Sequence, residues 1–300
     1  MNELELVRLI HARAPRPHGG VVLGIGDDCA VFRPGGRRED LLFTTDMLIE
    51  GVHFLREAHP AEAVGWRALA RGLSDIAAMG GRPRFCLLSL ALAPWTDRPW
   101  QDAYFRGFLR LALQAGATLV GGDLGHAERV MCDVVVCGSA PQGKWLRRDG
   151  ARPGDGIYVS GSLGASALGL RKRRGAAWRQ HLWPEPRLEL GRLLRTRLKA
   201  TAAMDLSDGL SLDLHRLCRA SRVAAELDDV PIFRGATPED ALHGGEDYEL
   251  LFTLRPRTRV PARLAGLELT RIGTIVKGKP GAVLLAGRPL PPRGYDHFGG

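Results

Sequence analysis

The chain has 300 residues, of which 45% are apolar and 25% are charged. These fractions are those of ordinary globular domains, and they exclude a disordered chain, a collagen-like chain and a small disulfide scaffold. At about 150 residues per domain, the length predicts two domains. The formal net charge is +9, carried by 37 Arg and only five Lys, so a surface that binds nucleic acid or another polyanion has to be considered.

The cysteine and hydrophobicity patterns favour a cytoplasmic protein. The five cysteines contain no CxxC pair and no Cys/His metal spacing, which is typical of reduced thiols. The N-terminal segment carries acidic residues and lacks the apolar core of a signal peptide. The longest strongly apolar stretch, residues 85–94, is much shorter than the ~20 residues that cross a bilayer. We therefore expect no membrane span.

In the first half of the chain, apolar strands lead into acidic loops. The patterns predict helices over 4–12, 61–79 and 100–115, and strands over 21–25, 41–45, 84–93, 118–120 and 130–137. Asp27 and Asp28 follow the first of these strands, Asp46 follows the second, and Asp123 follows the short fourth strand. Carboxylates therefore gather at strand ends.

A Gly-, Pro- and charge-rich segment, residues 138–156, marks the predicted domain boundary. It divides the chain into an N-terminal domain, 1–138, and a C-terminal domain, 139–300. The second half predicts strands over 157–160 and 224–227 and helices from about 163 and over 186–199 and 210–221, followed by short strands and loops. Because strands and helices mix in both halves, the fold class is α/β or α+β.

Acidic residues beside small residues form the strongest functional signal. A single Asp of this kind could equally cap a helix or a turn. Capping is a weaker explanation for the whole set, because loops at strand ends are where α/β proteins collect ligand-binding groups. The set comprises Asp27, Asp28, Asp46, Asp75, Asp123, Asp205, Asp208, Glu246 and Asp247.

Many carboxylates in one cavity would repel each other and raise their pKa values, and hard divalent cations relieve that repulsion. Mg²⁺ prefers oxygen ligands and is usually completed by substrate phosphates. The segment 138–144 matches most of a P-loop, but Trp145 stands where a Ser or Thr hydroxyl is required. The pattern therefore predicts a site for Mg²⁺ and a nucleotide without a P-loop lysine.

Taken together, eight segments in chain order resemble the thiamine-monophosphate kinase family. They are GIGDDCAVF (24–32), TTDMLIEGVHF (44–54), LSDIAAMGGRP (73–83), GGD (121–123), RRDGARPGD (147–155), AMDLSDGL (203–210), HGGEDYELLFT (243–253) and GYDHF (294–298). Each segment alone is a weak signal. Their order and spacing from about residue 20 to residue 298 make the resemblance specific.

The resemblance implies a two-domain ATP-binding fold like that of aminoimidazole ribonucleotide synthetase, with a homodimer formed through the N-terminal sheet. It implies transfer of a phosphoryl group from ATP to thiamine monophosphate, with several Mg²⁺ ions and no protein general base. The partners implied are ATP, thiamine monophosphate and a second copy of the chain, and neither a nucleic acid nor a membrane is expected.

The resemblance also implies residue roles. The positions that match Mg²⁺ ligands are Asp28, Thr44, Thr45, Asp46, Asp75, Asp123, Asp205 and Asp208. Those that match nucleotide-binding positions are Phe105, Gly122, Asp123, Arg148 and Ser207. Those that match contacts to thiamine phosphate are His53, Glu246 and Tyr295. Phe105 stands where the family often has Tyr, which keeps a ring for stacking and removes a hydroxyl.

Two alternatives remain at this point. One is an ATP-using member of the same superfamily with a different acceptor, such as a selenophosphate synthetase or a hydrogenase-maturation factor. The other is a basic nucleic-acid-binding protein, although the sequence lacks a helix-turn-helix, RNP or zinc signature. An assay for phosphorylation of thiamine monophosphate distinguishes the kinase from the first alternative. The salt dependence of nucleic-acid binding tests the second.

Overall fold

The structure, a computed structural model, describes Glu5, residues 20–36 and residues 38–295. The helix predicted over 4–12, apart from Glu5, lies outside the described residues, as do the last three residues of the GYDHF segment. In the described part of the chain, no helix combines the length and hydrophobicity needed to cross a bilayer.

The N-terminal half forms a six-stranded sheet in the order β1-β2-β3-β6-β4-β5. All neighbours pair antiparallel except β4 and β5, which are parallel. Two helices complete this half. The elements are β1 (Val21–Leu23), β2 (Ala30–Phe32), β3 (Glu39–Ile49), α1 (Ala61–Ala78), β4 (Arg82–Leu92), α2 (Arg98–Ala115), β5 (Thr118–His126) and β6 (Met131–Pro141).

One face of this sheet is buried against α1. Along β3, Leu42 and Leu48 are fully buried, and Thr44 between them bonds to a side chain of α1, as the two-residue period of a strand requires. Helices α1 and α2 cross at Gly65 and Gly107, where a Cβ would lie 1.9 Å and 1.8 Å from the partner backbone. The helices can therefore approach closely only because both positions lack a side chain.

The opposite face of the sheet carries no helix among the described residues. Thr45 and Met47 of β3 point to this face, and Met47 is 51% exposed. Asp133 of β6 shares it, because its Oδ1 accepts a hydrogen bond from Thr45 Oγ1 at 2.6 Å. The register continues from Asp133 through Ser89 to Asp123 on β5. Asp123 therefore lies on the uncovered face.

The C-terminal half forms an eight-stranded sheet in the order β14-β13-β9-β12-β7-β10-β8, with β11 paired to β12. A π-helical turn, Leu194–Leu198, extends helix α5. The elements are β7 (Gly156–Ser160), α3 (Ala165–Lys172), α4 (Gly175–Leu182), α5 (Leu188–Leu193), β8 (Ala202–Asp205), α6 (Leu210–Ser221), β9 (Ala224–Leu227), α7 (Pro238–His243), β10 (Leu250–Leu254), β11 (Arg263–Leu264), β12 (Leu267–Val276), β13 (Val283–Leu285) and β14 (Arg288–Pro289).

Helix α1 is packed on several sides, because it lies between the two halves. It contacts α2 and the first sheet, and also α5 and β8 of the C-terminal half. Gly191 of α5 permits the closest approach, since a Cβ there would lie 1.9 Å from Ala77 O. Polar residues of α1 therefore face the cleft between the halves. The division of the chain at residue 138 stays a prediction; the two sheets are separated by residues 142–155.

Most predicted elements are present, with three instructive differences. The predicted end of the fourth strand at residue 120 is wrong, because β5 continues through two glycines to His126 alongside β4. Pairing to a neighbouring strand outweighs low local propensity here. The helix predicted over 186–199 is α5 followed by the π-helical turn. Residues 267–276 form one ten-residue strand where only short strands were predicted.

Candidate active site

Three carboxylates meet in the cleft between the halves of the chain. Asp28 comes from the loop before β2, Asp75 from α1 and Asp205 from the end of β8. Each offers one oxygen, and the three oxygens lie within 4.8 Å of one another. The segments that the sequence marked as acidic loops therefore converge from three separate parts of the chain.

Burial and mutual repulsion raise the pKa values of two of these groups. The pKa of Asp75 is raised well above its usual value by burial and then by Asp46, and that of Asp205 by burial and then by Asp28. Thr44 Oγ1 donates to Asp75, and Ser74 Oγ donates to Asp205 at 2.7 Å. These hydrogen bonds orient the carboxylates without supplying the positive charge that they need.

The chemistry of the cluster fits a hard divalent cation. All its ligand atoms are carboxylate oxygens, which Mg²⁺ prefers. Asp28 Oδ2 is buried and has no hydrogen-bond partner among the described residues. A buried, unsatisfied charged oxygen is costly, and a cation would satisfy it. The three aspartates therefore fit the metal that the sequence predicts.

Arg148 lies beside this cluster at the entrance from the inter-domain connection. Its Nη2 is 2.9 Å from Asp28 Oδ1, and its Nε is 3.5 Å from Asp27 Oδ1. Burial, and then the charge of Asp28, raise the pKa of Asp27 to about 7. Arg148 thus lies against the carboxylate cluster, and its predicted role in nucleotide binding stays a prediction.

A cavity of about 330 Å³ extends from the cluster, within the range of about 300–1,000 Å³ usual for small-molecule sites. Its acidic and hydroxyl lining consists of Asp46, Asp75, Asp205, Ser207 and Asp208. The rest of its lining is Val52, His53, Ser166, Ala167, Leu170, Gly245, Glu246, Tyr248 and Tyr295, together with Arg71. One cavity therefore combines carboxylates with aromatic and apolar groups.

Two of the lining aspartates also have basic partners. Asp46 Oδ1 lies 3.5 Å from Arg71 Nε, and burial raises the pKa of Asp46 although Arg71 opposes the shift. Asp208 accepts a hydrogen bond from Arg216 of α6. Both carboxylates can approach a ligand that enters the cavity.

Glu246 is held in the cavity wall by Arg67 of α1. Arg67 Nη2 is 2.7 Å from Glu246 Oε1, and the Arg67 side chain is only 1% exposed. Burial alone would raise the pKa of Glu246, but Arg67, His181 and Arg71 outweigh it and lower the pKa to about 2. Glu246 has a positive φ of 64°, an uncommon backbone conformation for a non-glycine residue. The carboxylate is thus ionised and fixed.

His53 and Tyr295 also line the cavity. His53 Nδ1 accepts a hydrogen bond from the backbone N–H of Ile49 at 3.0 Å, and the ring centroids of His53 and Tyr295 are 6.4 Å apart. The backbone N–H of Tyr295 donates to Asp208 O at 3.2 Å. The last described residue is thereby tied to the DLSDGL segment.

The structure does not bring every predicted residue into the cavity. Thr45 and Asp123 point to the uncovered face of the sheet, away from α1. Gly122 lies in edge strand β5, and Phe105 of α2 packs against the N-terminal core. None of these four residues lines the cavity, and neither do Asp28, Thr44 and Arg148, which lie beside it. The roles of all the predicted site residues stay predictions.

The sequence analysis missed Arg67, Arg71 and Tyr248. Arg67, Arg71 and Asp75 follow each other at intervals of four residues, which places them on one face of a helix. That spacing could have been found in the sequence. It was overlooked because an Arg on a helix is ordinarily a solvated charge, and only packing of α1 on both sides makes this face internal.

Comparison with known proteins places the fold in one class. Residues 26–140 match the AIR synthase related protein N-terminal domain, and residues 152–285 match its C-terminal domain. The protein thus has the two-domain architecture of the AIR synthase related proteins, which confirms the predicted fold class. Hydrogenase maturation protein HypE in complex with ATP shares this fold at a TM-score of 0.70, with 21% identity over 94% of this chain and 92% of that one.

More similar relatives define the family within that class. The thiamine-monophosphate kinase of Escherichia coli K12 is 36% identical, over 99% of this chain and 98% of the relative. That of Bacillus subtilis is 33% identical, over 97% and 98%. The solved structure of AaThiL complexed with AMPPCP and TMP matches with a TM-score of 0.87 and 33% identity, over 99% and 97%. This chain belongs to the thiamine-monophosphate kinase family.

Proposed function

We propose that this protein transfers the γ-phosphoryl group of ATP to thiamine monophosphate, giving thiamine diphosphate and ADP. One observation carries the proposal: a single cavity is lined by Asp75 and Asp205 of the three-carboxylate cluster and by His53, Glu246 and Tyr295. A relative of known structure that matches over nearly the whole chain was solved with AMPPCP and TMP.

The acceptor explains why the site needs no general base. A phosphomonoester has its second pKa near ~6, so its oxygens are mostly ionised at pH 7. One of these oxygens forms the new bond to the γ-phosphorus while the bond to the bridging oxygen breaks and ADP leaves. Catalysis then consists of in-line positioning and charge neutralisation. The residues of this cavity supply those two functions.

The carboxylates would hold Mg²⁺. Asp28, Asp75 and Asp205 are the proposed core of the metal site, and Asp46 and Asp208 line the same cavity as Asp75 and Asp205. When bound, the metal supplies the positive charge that lets phosphates enter an acidic cavity. Arg148 and Ser207 are proposed to bind the nucleotide, because Arg148 contacts Asp28 and Ser207 lines the cavity beside Asp208.

We also propose that the protein is a homodimer in the cytoplasm, where ATP is available. The support for dimerisation is the uncovered face of the N-terminal sheet, on which Met47 is exposed beside partly buried Phe43, Phe85 and Leu87. A sheet face of this kind favours burial against another surface. A role for Asp123 in an active site requires such a second copy, because its side chain lies on this face.

A phosphoryl-transfer assay tests the proposed function. The protein is incubated with ATP, Mg²⁺ and thiamine monophosphate, and thiamine diphosphate is measured by chromatography. We expect formation of thiamine diphosphate with stoichiometric ADP, and loss of both in EDTA. ATP consumption without thiamine diphosphate would favour the other ATP-using branch of the superfamily, whose members have different acceptors.

A further inference from the structure

Arg71 links an aspartate of the cavity lining to the wall that carries Glu246 and Tyr248. Its Nε lies 3.5 Å from Asp46 Oδ1. Its Nη1 lies 3.3 Å from Glu246 Oε1 and donates to Tyr248 Oη at 3.1 Å. Under the proposed function, the acceptor phosphate has to approach the carboxylates that would hold the metal, and Arg71 contacts one of the carboxylates that line the same cavity.

Arg71 is also the one Arg or Lys among the described residues that line the cavity. The other nearby cations have different positions: Arg67 is buried behind Glu246, and Arg148 lies against Asp27 and Asp28. A dianion entering the cavity would therefore meet a single positively charged side chain of the protein.

The guanidinium of Arg71 retains unused hydrogen-bonding capacity. Both of its well-formed hydrogen bonds are made by Nη1, and the buried Nε has only the longer ion-pair contact to Asp46 among the described residues. A buried donor without a well-formed hydrogen bond is unfavourable. The Nε and Nη2 donors of arginine form a fork that matches two oxygens of one phosphate.

The need to hold Glu246 in place does not explain why an arginine stands at position 71. Arg67 already binds Glu246 Oε1 at 2.7 Å and reaches the backbone oxygen atoms of His53 and His181. The longer contact from Arg71 adds little to a carboxylate held in this way. Arg71 could therefore give up its contact to Glu246 without leaving that carboxylate unpaired.

We propose that Arg71 binds the phosphate group of the acceptor, thiamine monophosphate. This assignment rests on the proposed function and goes beyond it by naming the residue that distinguishes the phosphorylated substrate from thiamine. Arg71 fixes the acceptor oxygens beside the metal and offsets part of the charge that develops as the two phosphates approach.

The test compares two ligands that differ only in the phosphate. Calorimetry measures binding of thiamine monophosphate and of thiamine to the full chain, with Mg²⁺ and AMPPCP present, for the wild type and for Arg71→Gln. We expect Arg71→Gln to weaken the binding of thiamine monophosphate by about 10- to 100-fold, as loss of a charge-assisted hydrogen bond predicts. The affinity for thiamine should change by less than about twofold. Equal weakening of both ligands, or of neither, overturns the proposal.

Two further variants test whether this result is specific to the guanidinium of Arg71. Arg71→Lys keeps the charge and loses the planar fork, so it should fold even if Arg71→Gln does not. It should weaken the binding of thiamine monophosphate several-fold and leave the affinity for thiamine unchanged. An unchanged thiamine monophosphate affinity in Arg71→Lys would contradict recognition by the fork. Arg110→Gln on α2, whose partner is Glu62 at the surface, is the matched control and should bind both ligands as the wild type does.

Failure of this proposal is distinct from failure of the proposed function. Wild-type conversion of thiamine monophosphate to thiamine diphosphate tests the function and does not involve the variants. If the wild type turns over and Arg71→Gln retains full preference for the phosphorylated ligand, only the assignment of Arg71 is wrong.

Discussion

The guanidinium of Arg67 and the carboxylate of Glu246 form an ion pair across the two halves of the protein, with 2.7 Å between Nη2 and Oε1. Arg67 belongs to α1, and Glu246 belongs to the loop before β10. The pair therefore ties the wall of the cavity to the helix that carries Asp75. The positions of Glu246 and of the carboxylate cluster are therefore coupled through one helix.

Replacing Arg67 by Met should destabilise the protein, because it leaves Glu246 ionised in a largely buried place with only the longer contact from Arg71. We expect a loss of about 3 kcal/mol in the free energy of unfolding, measured by urea denaturation at pH 7. The double variant Arg67→Met, Glu246→Gln should recover much of this loss, because it removes the orphaned charge. Additive losses in the double variant would contradict direct coupling.

Replacing Asp75 by Asn should abolish turnover and leave the protein folded. In metal-free buffer the variant should melt at a higher temperature than the wild type, because one of several repelling carboxylates is gone. Mg²⁺ should raise the melting temperature of the wild type, since a ligand that binds only the folded state stabilises it, and should raise that of the variant less. Full activity in Asp75→Asn would refute the metal assignment.

Acid should destabilise the protein through the buried pair His59 and His181, whose Nε2 atoms are 3.0 Å apart. Burial, and then the charge of Arg67, lower the pKa of His59 to about 4 and that of His181 to about 3. In the unfolded chain a histidine has a pKa near ~6.5. The unfolded state therefore binds more protons between about pH 6.5 and pH 4, and stability falls as the pH falls through this window.

The corresponding measurement is the free energy of unfolding at pH 7.5 and at pH 5. The loss of unfolding free energy between pH 7.5 and pH 5 should be about 2 kcal/mol smaller in His59→Gln than in the wild type, because glutamine cannot take up a proton. His126→Gln, an exposed position on β5, serves as the control and should retain the wild-type pH dependence. An unaltered dependence in His59→Gln would show that the pair does not drive acid sensitivity.

Dimerisation should depend on the uncovered face of the N-terminal sheet. Met47→Arg places a charge at the middle of this face and should convert the dimer to a monomer, because burying an unpaired charge is costly. Light scattering after size-exclusion chromatography reports the mass. Leu113→Arg on α2 introduces the same charge at a position that is 84% exposed and should not alter the mass. A wild-type protein that is already monomeric would contradict the dimer.

The local patterns of the sequence contained the acidic site. Residues 61–79 were predicted as a helix and residues 61–78 form α1, while the helix predicted over 210–221 has the observed bounds of α6. Because Asp28, Asp75 and Asp205 each stand at a recognisable motif, their side chains could be grouped before their distances were known. Periodicity and motif spacing are local properties, and a single sequence contains them.

Tertiary packing decided which residues share the cavity. The sequence could not distinguish Asp46, which faces α1, from Thr45 and Asp123, which face away from it, because the faces of a sheet are assigned only when its neighbours and register are known. Nor could it distinguish Arg67 and Arg71 from the many surface arginines. The sequence determined the family and predicted the chemistry of the site. Packing of α1 between two sheets decided which charges are buried, because burial depends on contacts between segments far apart in the chain.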